Sequence, residues 1–310
     1  MDTIFGLTSG PAQEGLGRSL TRDRPINYPI YEEREHYLAT VHGFEAGGFE
    51  ATVRCVDLQA LVDARMRPRG YRKPVEERSE KVMLRAVARA KKTVRHAVKN
   101  IGCDHLVTLT TREERNTPED LNLQWKRFVR SYRQTTGGDF LYVAIPERHP
   151  SNPDHWHLHI AIRGRLKLKL ARQLWWSCCG GRGLGNVDVQ YIKVGAYTNG
   201  APKGPLVRAE KIARYISKYM TKDLIFAHRP DKKRYWRSEF DMPSARHYWL
   251  RTRPGNSETL TAALTELVAR FGGFDLFRCS IFFFPDCSGF WLSYNPDARD
   301  SEGSGPPPPF

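Results

Sequence analysis

Between residues 75 and 100, Val82, Ala86, Ala90, Val94 and Val98 recur every four positions among Arg, Lys and Glu, a spacing that predicts an amphipathic helix stopping at Gly102. The pattern then shortens to a period of two. Leu106–Thr111 reads as a buried β-branched strand, Phe140–Ile145 as a second, and His155–Ile162 as a third in which polar and apolar residues alternate. On that third strand His155, His157 and His159 face one way while Trp156, Leu158 and Ile160 face the other. Between the first two strands, Thr117-Pro118-Glu119-Asp120 carries the signals of a helix start: a capping hydroxyl, Pro at the first position and acids in the first turn. Leu121, Leu123, Trp125, Phe128 and Val129 supply its apolar positions, and Gly137-Gly138 ends it.

The stretch Pro146–Asp154 reads as a loop that turns the second strand back antiparallel to the third, with the register left open. Beyond Gly164 the pattern gives a helix over Leu168–Trp176, a strand over Val187–Val194, a Gly/Pro loop, and a helix from about Val207 to Asp223. Thr259–Phe271 reads as a helix, and Ile281–Phe284 and Phe290–Tyr294 as strands. The central alternation implies an α+β fold in which helices cover one face of a mostly antiparallel sheet, leaving an uncovered face to carry the histidines. Four regions follow from the same pass. Residues 1–75, with Tyr28, Tyr31 and Tyr37 among charges, read as a partly flexible N-terminal extension, and 76–250 as the main domain. Residues 251–300 read as an accessory segment and 301–310, Ser/Gly and then Pro, as a disordered tail.

Charge narrows the partners. The chain carries 49 Lys and Arg against 34 Asp and Glu, and residues 161–238 hold eighteen of the former against four of the latter, nearly the whole excess of +15. Such a field suits a polyanion, a nucleic acid or an acidic membrane surface. Residues 251–310, with five basic and seven acidic groups, fall outside any such track. No segment reads as a membrane span or signal peptide, and six cysteines without a C-x-x-C pair argue against a zinc ribbon or a secreted disulfide scaffold. A reducing cytosol is the expected compartment.

Two imidazoles two residues apart on a strand can reach one divalent cation, but a third ligand is needed to define a site. Glu147, ten residues before His157 at the end of the preceding strand, is the residue a hairpin would return beside the histidine face. A carboxylate with two imidazoles and open positions suits Mn²⁺, Mg²⁺ or Zn²⁺ and leaves room for a phosphate oxygen. Downstream, helical spacing puts Ile212, Ile216 and Met220 on one side of the later helix, Lys211, Arg214 and Lys218 on the opposite side, and Tyr215 and Tyr219 at the border between them. A phenol is a poor nucleophile near neutral pH unless cations favour its phenolate, and here cations flank both phenols.

Leu106–Thr111, His157-Leu158-His159 and Tyr215-Ile216-Ser217-Lys218-Tyr219, in that order, resemble the three motifs of the HUH endonucleases, specifically the two-tyrosine rolling-circle replication initiators of plasmids and single-stranded DNA phages. The resemblance covers about residues 77–238 and implies the RRM-like, ferredoxin-like sheet of that superfamily. It also implies Mg²⁺ or Mn²⁺ on His157, His159 and Glu147, and attack by Tyr215 or Tyr219 on an origin phosphate of single-stranded DNA. Lys218 matches the lysine that contacts the phosphate. The implied partners are origin DNA and a host helicase and polymerase in the cytoplasm of a bacterial host. His155 is an extra histidine, either a spare ligand or uninvolved. An HUH transposase or relaxase would use the same residues. A non-catalytic RRM-like binder would need aromatics on the open sheet face, where this strand has histidines.

Overall fold

The computed structural model describes residues 34–66, 80–113, 116–149, 151–190, 209–218 and 234–296. Ten strands form two five-stranded antiparallel sheets, with six helices around them among the described residues. β1 (Glu35–Gly43) and β2 (Phe49–Asp57) lead into α1 (Leu58–Met66) and, after a gap in the description, α2 (Glu80–Ile101). β3 (His105–Thr111), α3 (Pro118–Thr136), β4 (Tyr142–His149), β5 (Asn152–Ile162), α4 (Leu168–Cys178) and β6 (Gly185–Gln190) follow. α5 covers 209–218. The chain closes with β7 (Trp236–Arg237), β8 (Ala245–Trp249), α6 (Ser257–Arg270), β9 (Cys279–Phe283) and β10 (Gly289–Tyr294).

The sheet that holds the histidines has the order β6-β3-β5-β4-β7, and the outer sheet has the order β8-β1-β2-β10-β9. In the first, Val107, Leu109, Ala144, Trp156, Leu158, Ile160 and Ile162 project to one side and meet Leu121, Trp125 and Phe128 of α3 and Ala171 and Trp175 of α4. The start of α3 obeys the sequence signals. Thr117 caps it in extended conformation, its hydroxyl accepting from the Asp120 N–H while the Asp120 carboxylate accepts from the Thr117 N–H. In the outer sheet, Tyr37, Ala39, Val41, Ala51, Val53, Phe290 and Leu292 pack on Leu260, Ala263, Leu264 and Leu267 of α6.

The α+β, antiparallel character is as the sequence predicts, but the covering of the histidine sheet is not. Its histidine face is not bare: Val94, Ala97, Val98 and Ile101 of α2 and Ile212, Ala213 and Ile216 of α5 pack on Leu106, Val143, Ile145 and Ala161. Helices therefore lie on both faces. The reason is visible in α2, whose buried stripe is Val87, Lys91, Val94, Val98 and Ile101, while Val82 is 40% exposed. A strict four-residue repeat drifts about 40° per step around a helix, so the residues that stay on one line follow a three-four spacing instead.

The opposite side of α2 is polar and also buried. Arg95, His96 and Lys99 all reach Glu50 of β2, so α2 is wedged between the two sheets. Residues 35–57, which carry no predicted strand, form β1 and β2 at the centre of the outer sheet. β7, from the basic and aromatic stretch around Trp236, is a two-residue edge strand. No helix among the described residues is long and apolar enough to cross a membrane.

Candidate metal centre and the tyrosine helix

The hairpin of β4 and β5 is tighter than its sequence suggests. Pro146 and Glu147 are inside β4, not in a loop, and Glu147 pairs directly with His157 while Ile145 pairs with His159. Pro146 is tolerated because β7 pairs only with Val143 and Ala144, which leaves the end of β4 an edge where a missing N–H costs little. With this register, Glu147, His157 and His159 point to the same face. All three are buried.

Glu147 Oε2 lies 3.0 Å from His157 Nε2 and 2.7 Å from His159 Nε2, and the two Nε2 atoms are 3.0 Å apart. Neighbouring ligands of an octahedral ion with bonds of about 2.1 Å lie about 3.0 Å apart, so this triangle matches one face of such a site. Two imidazole nitrogens in contact need a proton or a cation between them, and the carboxylate supplies the balancing charge. Burial would raise the Glu147 carboxyl, but hydrogen bonds from His157 and His159, and attraction to both rings, overrule it and hold it at about 2. The group is thus an anion at neutral pH, ready to ligate. These three residues could hold a divalent metal ion, whose identity the donor set leaves open.

The supports of the two imidazoles differ. His159 Nδ1 lies 3.2 Å from the Thr108 hydroxyl, on the residue directly opposite it in β3, which fixes the ring and its tautomer. Thr108 was not singled out in the sequence, although the alternation Leu-Val-Thr-Leu-Thr places it on the histidine side of its strand. His157 Nδ1 is buried without a hydrogen-bond partner, so packing alone orients that ring. His155 takes no part in the triangle: its Nδ1 lies 3.0 Å from the Glu113 carbonyl, on the loop that follows β3. His149, which the sequence reading also passed over, sits at the rim with its ring 5.8 Å from that of His157.

α5 lies on the same sheet face. Its Ile212, Ala213 and Ile216 bury against Ile145 and Ala161, each two residues along its strand from a member of the triangle, and Tyr215 packs half-buried at the edge of this cluster. Lys218 is exposed. Tyr219 and Met220 lie outside the described residues. The structure thus brings together Glu147, His157 and His159, and seats the helix of Tyr215 and Lys218 one row of side chains away.

Residues 104–224 match the family model of replication-associated protein ORF2/gene II protein, a span that contains all three members of the triangle and α5. The outer sheet and α2 lie outside it. The chain matches no curated protein and no solved structure at a significant level.

Proposed function

We propose that this chain initiates phage or plasmid DNA replication by cutting one strand at an origin and holding the cut end covalently. The observation that carries this reading is the Glu147–His157–His159 triangle beside the helix of Tyr215, within the span matching the replication-associated family. An Mg²⁺ or Mn²⁺ ion held by the three residues would supply positive charge to polarise the scissile phosphate of single-stranded DNA. The work of the chain is then positioning.

The Tyr215 oxygen forms a bond to phosphorus as the bond from phosphorus to the 3′ oxygen breaks. The phenol gives its proton to solvent and the departing 3′ oxygen takes one up. A 5′-phosphotyrosine and a free 3′-OH result, the latter for a host polymerase to extend behind a host helicase in the bacterial cytoplasm. The new diester conserves the energy of the broken one, so rejoining needs no ATP. Tyr219, one turn further on, is the second nucleophile that resolves the circle, and Lys218 steadies the phosphate. Residues 76–250 form the unit that carries this chemistry.

The test uses 3′-labelled single-stranded oligonucleotides tiling the DNA that carries this gene, incubated with the full chain and Mn²⁺. The expected product is a labelled protein–DNA adduct that survives boiling in detergent and is absent from the Tyr215→Phe/Tyr219→Phe double variant. Cutting without an adduct would mean hydrolysis and sink the reading. An adduct in the double variant would remove the tyrosines from it.

A further inference from the structure

α2 is joined to β3 by only three residues, 102–104, and so returns antiparallel to it, while β4 runs parallel to β3 because β5 pairs antiparallel with both. Moving back along α2 from Ile101 through Val98 to Val94 therefore leads over the sheet from Val143 toward Glu147. The next position on that buried stripe is Lys91. Its residue is 8% exposed, yet among the described residues it has neither a hydrogen bond nor an ion pair. Burial lowers the pKa of its amine, with no acid nearby to oppose this.

A buried amine without a counter-charge is costly, and evolution usually replaces it or pairs it. The same helix shows that pairing is available: Lys99 donates to Glu50, Glu210 and Ser293. Lys91 differs in pointing from the sheet-facing stripe at the end of the sheet where the triangle lies. We propose that Lys91 binds a backbone phosphate of the single strand next to the Glu147–His157–His159 centre, its counter-charge arriving with the DNA. The proposal rests on the nicking reading of that centre. A cation held partly desolvated and already in place attracts a phosphate more strongly than a solvated surface lysine, and loses no side-chain freedom in doing so. Tyr215 and Lys91 then approach the strand from two helices on the same sheet face.

The experiment compares Lys91→Met and Lys91→Arg in the Tyr215→Phe background, so that binding is read without turnover, and again in the wild-type background for adduct formation. For Lys91→Met we expect a melting temperature equal to or above that of the parent and unchanged Mn²⁺ affinity. DNA binding should weaken about tenfold at low salt, and the slope of log K against log salt should fall by about 0.7, the value for one phosphate contact on a single strand. Lys91→Arg should restore most of the affinity. Unchanged affinity and slope in Lys91→Met would overturn the proposal. So would a large loss of melting temperature in both variants, which would make Lys91 structural. The nicking reading is tested separately by the wild-type adduct and its loss in Tyr215→Phe/Tyr219→Phe, and the salt slope of Lys91→Met keeps its meaning whichever way that falls.

Discussion

The Lys99 ammonium lies 2.7 Å from the Glu210 carboxylate, so the helix that carries Tyr215 is fastened to α2 by a buried ion pair. Lys99 also donates to Glu50 at 3.0 Å and to Ser293 at 2.8 Å, which uses all three of its protons. Arg95 meets Glu50 with two nitrogens, at 2.9 and 2.8 Å, and His96 approaches the same carboxylate at 3.0 Å. Glu50 is thus the shared anion of the junction between the sheets. Replacing it by Leu strands two buried cations, and we expect a loss of about 3–5 kcal/mol in urea unfolding. Glu210→Gln keeps a hydrogen-bonding oxygen and leaves Lys99 its other partners, so its cost should be nearer about 1 kcal/mol. Equal losses in the two variants would contradict this ranking.

Acid should loosen the same junction. Burial of His42, reinforced by His96 and Lys92, pushes its pKa from 6.5 down to about 4, so the unfolded chain takes up a proton here before the folded one does. Stability is therefore lost as pH falls from about 6.5 toward 4. Burial would raise the Glu50 carboxyl, but Lys99 and Arg95 outweigh it and hold it well below the ordinary range, so its contribution disappears at still lower pH. Unfolding free energies measured at several pH values should decline across the first window, and His42→Asn should flatten that part of the curve. A curve unchanged by the substitution would exclude His42 as the group responsible.

Metal binding should register as stability. A ligand that binds only the folded chain contributes about 2.7 kcal/mol when its concentration is a hundred times its Kd, so saturating Mn²⁺ should raise the melting temperature. His159→Ala should abolish the effect. Thr108→Val removes the hydroxyl that fixes the His159 ring while keeping a β-branched side chain, and should weaken Mn²⁺ binding by about tenfold in a paramagnetic resonance titration. Undiminished affinity in Thr108→Val would mean that packing alone holds the ring.

Gly289 marks where the outer sheet admits no side chain. A Cβ built there would lie 2.0 Å from the Val53 carbonyl oxygen, and that backbone cannot retreat without breaking the pairing of β2 with β1. Gly289→Ala should cost about 1–3 kcal/mol or more in thermal unfolding. A neutral result would show that β10 can shift on β2.

The parts of this fold that local chemistry dictates could be read from the chain: the capped start of α3, the alternation in β5, the helical stripe of Ile212 and Ile216. What stayed hidden depends on distant partners. The alternation of Tyr37, Ala39 and Val41 with His36, Thr40 and His42 is a strand signal, but its polar side looks like a solvent face until α2 brings Arg95, His96 and Lys99 against Glu50. For the same reason the charged side of α2 gives no sign that it is covered. Glu147 could be nominated as a ligand from its distance to His157, yet Pro146 disguised the strand that aims it. Lys91 reads as one more surface lysine. Only the three-four spacing of its neighbours puts it inside.

The outer sheet interleaves strands from both sides of the histidine sheet, with β10 seated directly on β2 although 232 residues separate Asp57 from Gly289. At a ribosomal rate of about 5–20 residues per second, β2 waits roughly 12–46 s for that neighbour to be made. During this interval Lys99 lacks Ser293, and the clamp that holds α5 is incomplete. Nascent chains that have not yet reached β10 carry every member of the triangle and of the tyrosine helix, but not the junction that seats them. Completion of the last strand is therefore the event that separates a finished molecule from a growing one.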